Sequence, residues 1–322
     1  AASLLLGLAA CAAPGDEAPP PSDAPYAVVL GTAQDAGIPQ IACPCDRCAA
    51  AREDPSARRL VTSVLLADPR SGRRFLLDAS PDLAEQVERA RPHPPGRRTP
   101  PGRPPLFDAI FLTHAHAGHY TGLLELGNEA YGADGQRVVA TPRMAAFLRA
   151  NDPWRFLVDR GFVVLEELPL ETEIALADDL TLEALPVPHR DEHSDTVAFV
   201  VRGPARALLY LPDIDKWDRW DRRLEDVLAE VDVALVDGTF FADGEIPGRA
   251  MAEIPHPFIE ETIARLKELP EDVRAKVVFT HLNHTNPAAD PESDAARTVR
   301  EAGMAVAEEG ATLGMGLGAG GR

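Results

Sequence analysis

Four apolar, strand-like runs of this chain each end on a residue able to bind a metal. "FDAIFLTHAHAGH" carries His114, His116 and His119 within six residues, "LPVPH" ends in His189, "LLYLPD" in Asp213 and "VVFTH" in His281. Neutral imidazole and carboxylate suit borderline metals such as zinc. A single histidine after a strand is usually a satisfied core or surface residue. Four ligand-bearing strand ends in order are harder to explain that way. If they converge, the strands must lie in sheets that share one edge, with the site built on a rigid scaffold.

The rest of the chain alternates in the manner such a scaffold needs. "YAVVLG", "LVTSVLLADP" and "RRFLLDAS" read as strands, and "SPDLAEQVERAR" as a helix with Ser80 at its N-cap and Pro81 in its first turn. "YTGLLELGNEAYG" reads as a helix after the histidine turn. "RVVAT", "PRMAAFLRAND" and "GFVVLEEL" continue the alternation of strand and helix. Three strands follow in succession from "LTLEALPVPH" to "RALLYLPDID". Helices at "WDRRLEDVLAEV", "HPFIEETIARLKEL" and "SDAARTVREAG" flank the strands "DVALVDGTF" and "AKVVFTHLNHTNP". "PHPPGRRTPPGRPP" cannot be a helix or sheet interior, so it is a surface insertion in which His93 is expected to be solvated. Each half of the chain has a strand block followed by mixed strands and helices. This suits two packed sheets with helices outside, a layered α/β sandwich.

Charge and cysteines narrow the class further. Thirty-two Lys and Arg against 51 Asp and Glu give a net charge of −19, which repels phosphate backbones and argues against a nucleic-acid partner. A small-molecule substrate is expected instead, and nothing in the sequence sets an oligomeric state. Cys43, Cys45 and Cys48 form C-x-C-x-x-C, an odd number of clustered thiols that disulfides cannot all satisfy. Tetrahedral zinc wants a fourth ligand, and His284, three residues after His281, is the candidate. The N-terminal "AASLLLGLAAC" is too short to span a bilayer and reads as the apolar part of an export signal. Residues 1–25 are thus expected to be a signal remnant and flexible tether, and residues 26–322 one folded domain.

These motifs resemble known families. "LAAC" resembles a bacterial lipobox, which implies lipidation at Cys11, the only membrane attachment expected, and an exported protein held at the periplasmic side of the envelope. The histidine pattern resembles the metallo-β-lactamase superfamily, whose signature is H-x-H-x-D-H followed by a distant His, Asp and His. That resemblance implies a four-layer αββα sandwich. It places His114, His116 and His189 on a first metal, His119 and His281 on a second, and Asp213 between them. Gly118 stands where that family usually has Asp, so the second site is expected to lose one carboxylate and to be weaker, water-completed or empty. The Cys cluster with His284 resembles the structural zinc knuckle of the superfamily's phosphodiesterase branch, and His256 matches in position the proton-donating histidine of that branch. "GTAQDAGIPQIACPCDRC", "VPHRDEHSDTVAF", "PDIDKW", "VDGTF" and "THLNHTNP" together resemble the coenzyme PQQ biosynthesis protein B branch. Members of that branch tend to lack part of the H-x-H pair, which is complete here.

The implied function is a zinc-dependent hydrolase of a small phosphodiester or ester, with Asp213 and His256 as its catalytic residues. It would hold one structural zinc at the cysteines and one or two ions at the histidines, where iron or manganese are alternatives. Two other readings stand beside it: a PQQ biosynthesis B-like role in precursor oxidation or transport, and a non-catalytic binding protein. Asp191 and Asp195 are expected to hydrogen-bond His189, and His193 is read as a plain loop residue.

Overall fold

The strand β1 (Tyr26–Gly31) is buried along its whole length, and its side chains alternate between two cores. Tyr26, Val28 and Leu30 enter one, while Ala27 and Val29 enter another. A strand buried on both faces must lie in a covered sheet, and its period of two then sorts its residues between two layers. The computed structural model describes residues 23–93, 103–246, 248 and 250–316. Cys11 and residues 94–102 of the proline-rich segment lie outside them. Among the described residues, no helix is long and apolar enough to cross a membrane.

The first sheet contains β1, β2 (Ser63–Asp68), β3 (Arg73–Leu77), β4 (Ala109–Phe111), β5 (Gln136–Ala140) and β6 (Val163–Glu167). The second holds β7 (Ile174–Ala177), β8 (Leu180–Pro186), β9 (Val197–Arg202), β10 (Ala207–Leu211), β11 (Val233–Asp237), β12 (Val277–Thr280) and β13 (Ala305–Val306). The last strand, β14 (Thr312–Gly314), returns to pair with β1. The orders are β14-β1-β2-β3-β4-β5-β6 and β13-β12-β11-β10-β9-β8-β7. Each sheet has an antiparallel part and a parallel part, β3 to β6 in the first and β10 to β13 in the second.

One apolar cluster fills the space between the sheets. Phe111 meets Phe75 and Phe199 there at centroid distances of 6.3 and 6.1 Å. Two further clusters lie under the helices on the outer faces. The result is the expected four-layer αββα sandwich.

Three local expectations are revised. The helix after β3 runs Leu83–Ala90 with Asp82 at its N-cap; Ser80 instead accepts from Asp82 N at 3.1 Å and donates to Gln86 Oε1 at 2.8 Å. His93 is buried, not solvated: its Nδ1 lies 3.2 Å from Tyr26 Oη, and its ring packs edge-on to that of Tyr26. Proline content carries no signal about His93, which packs beside Tyr26 at the start of β1. The segment after the histidines is not one α-helix. It is a short α-turn, Ala117–Tyr120, followed by a 3₁₀ stretch, Thr121–Leu126.

That stretch docks by close backbone approach. A Cβ built on Gly122 would lie 2.0 Å from Ser80 O and 2.9 Å from Leu83 Cβ, so only glycine fits. Gly122→Ala should therefore cost about 1–3 kcal/mol in urea or thermal unfolding, with the fold retained. A change near zero would mean that the turn carrying His119 is not packed as described.

Candidate metal centre

The site lies at the carboxyl ends of the strands, where parallel strands of both sheets deliver side chains to one crevice. His114, His116 and His119 follow β4, His189 follows β8, Asp213 follows β10, and His281 follows β12. All but His116 are buried. Two non-glycine residues of the site hold positive φ, His281 at 61° and Asp78 at 65°. Such backbone is costly for residues with a Cβ and persists only where surrounding structure imposes it.

The ligand atoms form two groups that share Asp213. In the first, His116 Nδ1 is 2.9 Å from His114 Nε2 and 3.1 Å from His189 Nε2. Asp213 lies 3.3 Å from both His114 Nε2 and His189 Nε2. In the second, His119 Nε2 and His281 Nε2 stand 3.8 and 3.9 Å from Asp213 Oδ2. Four atoms at about 2.0–2.1 Å around a tetrahedral zinc are about 3.3–3.4 Å apart, so the first group has the spacing of a ligand set and the second is slightly wider. The buried His119 Nε2, His281 Nε2 and Asp213 Oδ1 have no hydrogen-bond partner. Buried polar atoms are rarely left so; a cation between His119 and His281 would satisfy their two nitrogens, and one beside His189 would take Asp213 Oδ1.

The far side of each ring is tied down, which fixes where the near side points. His119 Nδ1 lies 2.8 Å from Asp78 Oδ2; since a carboxylate only accepts, Nδ1 donates and Nε2 presents its lone pair to the site. Asp78 also accepts from Thr113 N at 2.8 Å and Tyr210 Oη at 3.1 Å. His281 Nδ1 meets Thr239 Oγ1 at 2.9 Å, and His114 Nδ1 meets Thr113 Oγ1 at 3.0 Å. For His189 the partner is Asp215, at 3.3 Å from Nδ1. The expected partners are engaged elsewhere: Asp191 accepts from Thr196 and Asp195 from Thr141. His193 is an exposed loop residue stacked on Phe147 at 5.2 Å.

His256 joins the site from the loop before the helix Ile259–Leu266. Its Nδ1 lies 2.8 Å from Asp237 Oδ2 and 3.2 Å from Asp213 Oδ1. Asp237, at the end of β11, is fixed in turn by Ile214 N at 3.1 Å and Thr239 N at 2.9 Å.

Charge in this crevice is strongly coupled. Burial raises the cost of ionising Asp213, yet His189, His281 and His256 around it hold its carboxyl well below the usual range. Burial likewise opposes charge on His189, but Asp213, Asp215 and Asp237 prevail and lift it to about 10. His114 goes the other way: burial and the neighbouring His119 push it well below the usual histidine value. The carboxylates thus draw positive charge into the crevice, while the crowded imidazoles cannot all carry it. A dication satisfies both demands.

Four residues of this network were not singled out from the sequence: Asp35, Asp78, Asp215 and Asp237. Asp78 and Asp237 obey the strand-end rule that singled out Asp213, in "FLLDAS" and "VALVDG". Asp35 follows the end of β1. Its Oδ1 accepts from Gly118 N at 2.9 Å and lies 3.9 Å from His119 Nε2. The second ligand group therefore does have a carboxylate beside it, from a different loop than expected.

The cysteine group is separate. One ligand atom each from Cys43, Cys45, Cys48 and His284 lie within 4.8 Å of one another. The helix Asp46–Glu53 begins inside the motif with Cys45 at its N-cap. Burial alone would raise the Cys45 thiol, but amides of Cys48 and Arg47 and the neighbouring thiols bring it below its ordinary value. Burial pushes Cys48 the other way, up to about 11. His284 Nδ1 is buried without a hydrogen-bond partner. Arg52 braces the loop by donating to Cys43 O at 2.7 Å and Gln40 O at 2.9 Å.

Comparison with known proteins agrees with this architecture. Residues 73–282 match the Beta-lactamase superfamily domain. The chain is 29% identical over 312 residues to a coenzyme PQQ synthesis protein B of Methylobacterium nodulans, covering 89% of this chain and 99% of that one. It is 28% identical over 316 residues to the protein of the same description from Pseudomonas fluorescens, with the same coverage. Among solved structures, Zn(2+)-bound PqqB from Methylobacterium extorquens superimposes with a TM-score of 0.74 at 25% identity, covering 89% of this chain and 99% of that one. A diphosphatase from the PhnP family shares the fold, with a TM-score of 0.60 at 22% identity over 90% of this chain and 96% of that one.

Cys43→Ala should lose one zinc per chain by elemental analysis and keep the ions of the histidine groups. Because a structural site's binding energy is folding energy, the variant should also unfold at a lower temperature. Parallel loss of every ion would show that the two centres are not independent.

Proposed function

The chain belongs to the beta-lactamase superfamily, and from that premise we propose that it is a metal-dependent hydrolase acting on a phosphodiester or ester of a small molecule. The observation that carries this reading is the pair of histidine groups meeting on one buried carboxylate, with His256 against that same carboxylate. His114, His116 and His189 with Asp213 would hold one zinc, and His119 and His281 with Asp213 a second. Metal bound there lowers the pKa of a coordinated water toward neutrality and polarises the substrate oxygen.

The chain's own groups do the rest. Asp213, ionised among His189, His281 and His256, keeps positive charge beside it in the crevice. His256 is the proton donor for the leaving oxygen: Asp237 fixes its ring through Nδ1, and burial against charge is outweighed by Asp237 and Asp213, which raise its pKa. A histidine kept charged next to the reacting bond is a competent general acid. The complete H-x-H pair, converging with His189, supports hydrolysis over the PQQ biosynthesis reading. The relatives described as coenzyme PQQ synthesis protein B favour that second reading, a metal-dependent step on a quinone-cofactor precursor or its transport, with iron or manganese in place of zinc. The apolar leader ending at Cys11 supports a periplasmic-side location with a lipid tether at that cysteine as part of this proposal.

Two measurements test this. Zinc-loaded protein should hydrolyse bis(4-nitrophenyl) phosphate or a simple aryl ester, and chelation should abolish turnover; no turnover on either class, with oxygen uptake on a quinone precursor, would replace the first reading by the second. His256→Ala should lower kcat by about 10²-fold or more for an alkoxide leaving group and much less for 4-nitrophenolate, with zinc content unchanged. An equal loss for both leaving groups would remove His256 from the proton-donating role.

A further inference from the structure

Gly118 and Asp35 are complementary. The signature position before the last histidine of the turn lacks its carboxylate, and the space beside Gly118 is filled by a carboxylate from a loop 83 residues earlier. A Cβ built on Gly118 would lie 2.4 Å from Asp35 Oδ1 and 2.7 Å from Asp35 Cα. No side chain at position 118 can coexist with Asp35 where it stands. The glycine is therefore the condition for the entry of another ligand rather than the mark of a lost one.

Three further observations converge. One ligand atom each from Asp35, His119 and His281 lie within 4.8 Å of one another, with Asp35 Oδ1 3.9 Å from His119 Nε2. His119 and His281 are fully buried and present Nε2 atoms without hydrogen-bond partners. The Asp35 loop is also pinned to the loop bearing His281: Leu282 N donates to Thr32 O at 2.8 Å, Gln34 N donates to Leu282 O at 2.9 Å, and Asn283 Nδ2 donates to Gln34 Oε1. Position and pinning come from backbone pairing, so the carboxylate is held in place before any metal arrives.

We infer that Asp35 is a transposed metal ligand, which with His119, His281 and Asp213 completes the second metal site of this chain in place of the missing signature aspartate. The inference rests on the reading above only in that the histidine groups take metal.

The test is zinc binding by the whole chain, read as ions per chain by elemental analysis and as affinity by competition with a chelator. Wild type should hold one ion for each of three groups: the cysteines, the first histidine group and the second. Asp35→Ala and His281→Ala should each lose the same single ion and keep the other two, whose retention also shows that the variants are folded. Asp35→Asn keeps an acceptor for Gly118 N but lacks the charge, and should weaken that ion by at least the about 10- to 100-fold that losing a ligand's hydrogen-bond partner costs. Gly118→Ala leaves every ligand residue in place and should weaken the same ion by displacing Asp35. The proposal is overturned if Asp35→Ala binds the full complement with wild-type affinity. It is also overturned if Asp35→Asn binds like wild type, which would make Asp35 a loop-positioning residue, or if wild type and His281→Ala hold the same number of ions. Hydrolysis by a wild type whose Asp35→Ala variant keeps all its zinc would sink this inference and leave the hydrolase reading standing. An Asp35-dependent ion in a protein without hydrolytic activity would do the reverse.

Discussion

The buried carboxylate of Asp213 is the interaction around which the rest of the molecule is arranged. It is 3% exposed and has His114, His189 and His256 within 3.3 Å. A lone carboxylate could not stay ionised there. It does so because imidazoles from three separate strand ends, and His256 from the loop before a helix, surround it, and those imidazoles are oriented in turn by Asp78, Asp215, Asp237 and two threonines. Both sheets must therefore be in register at one edge before any member of the cluster is satisfied. The cluster, as much as the apolar core between the sheets, specifies how the two halves meet.

The cysteine group extends the same logic to the ends of the domain. Cys43, Cys45 and Cys48 come from the loop after β1, and His284 from the loop after β12. Those two loops also carry Asp35 and His281, and they pair through the bridge Ala33 to Leu282. A bound ion at the cysteines would hold together the loops that place two residues beside the second histidine group. The two groups thus share a few residues of backbone while their ligand atoms remain separate.

Much of this was legible without coordinates. A strand buried on both faces reads as an unbroken apolar run, as β4, β10 and β12 do, and a ligand past its end breaks that run sharply; β8 alternates instead, and the apolar residues after it lead into His189. The cysteine spacing with His284 was equally plain. Asp78 and Asp237 carry the same signature, but one aspartate after a strand does not by itself point to a ligand's partner. The aspartates nearest His189 in sequence, Asp191 and Asp195, bond to threonines, and a loop turn brings Asp215 to its Nδ1 instead. The α-helix expected after His119 tightens into 3₁₀ because Gly122 must press its backbone against Ser80, a contact that no local pattern encodes.

By itself the sequence determined the layered sandwich, the identity of most ligands and the separate cysteine group, because hydrophobic periodicity and ligand chemistry are local properties. Only the tertiary structure decided what Gly118 means. The absence of a side chain is silent in one dimension. In three it is the space that lets Asp35, from the far end of the domain, reach His119 and His281, because two carboxylates cannot occupy one volume.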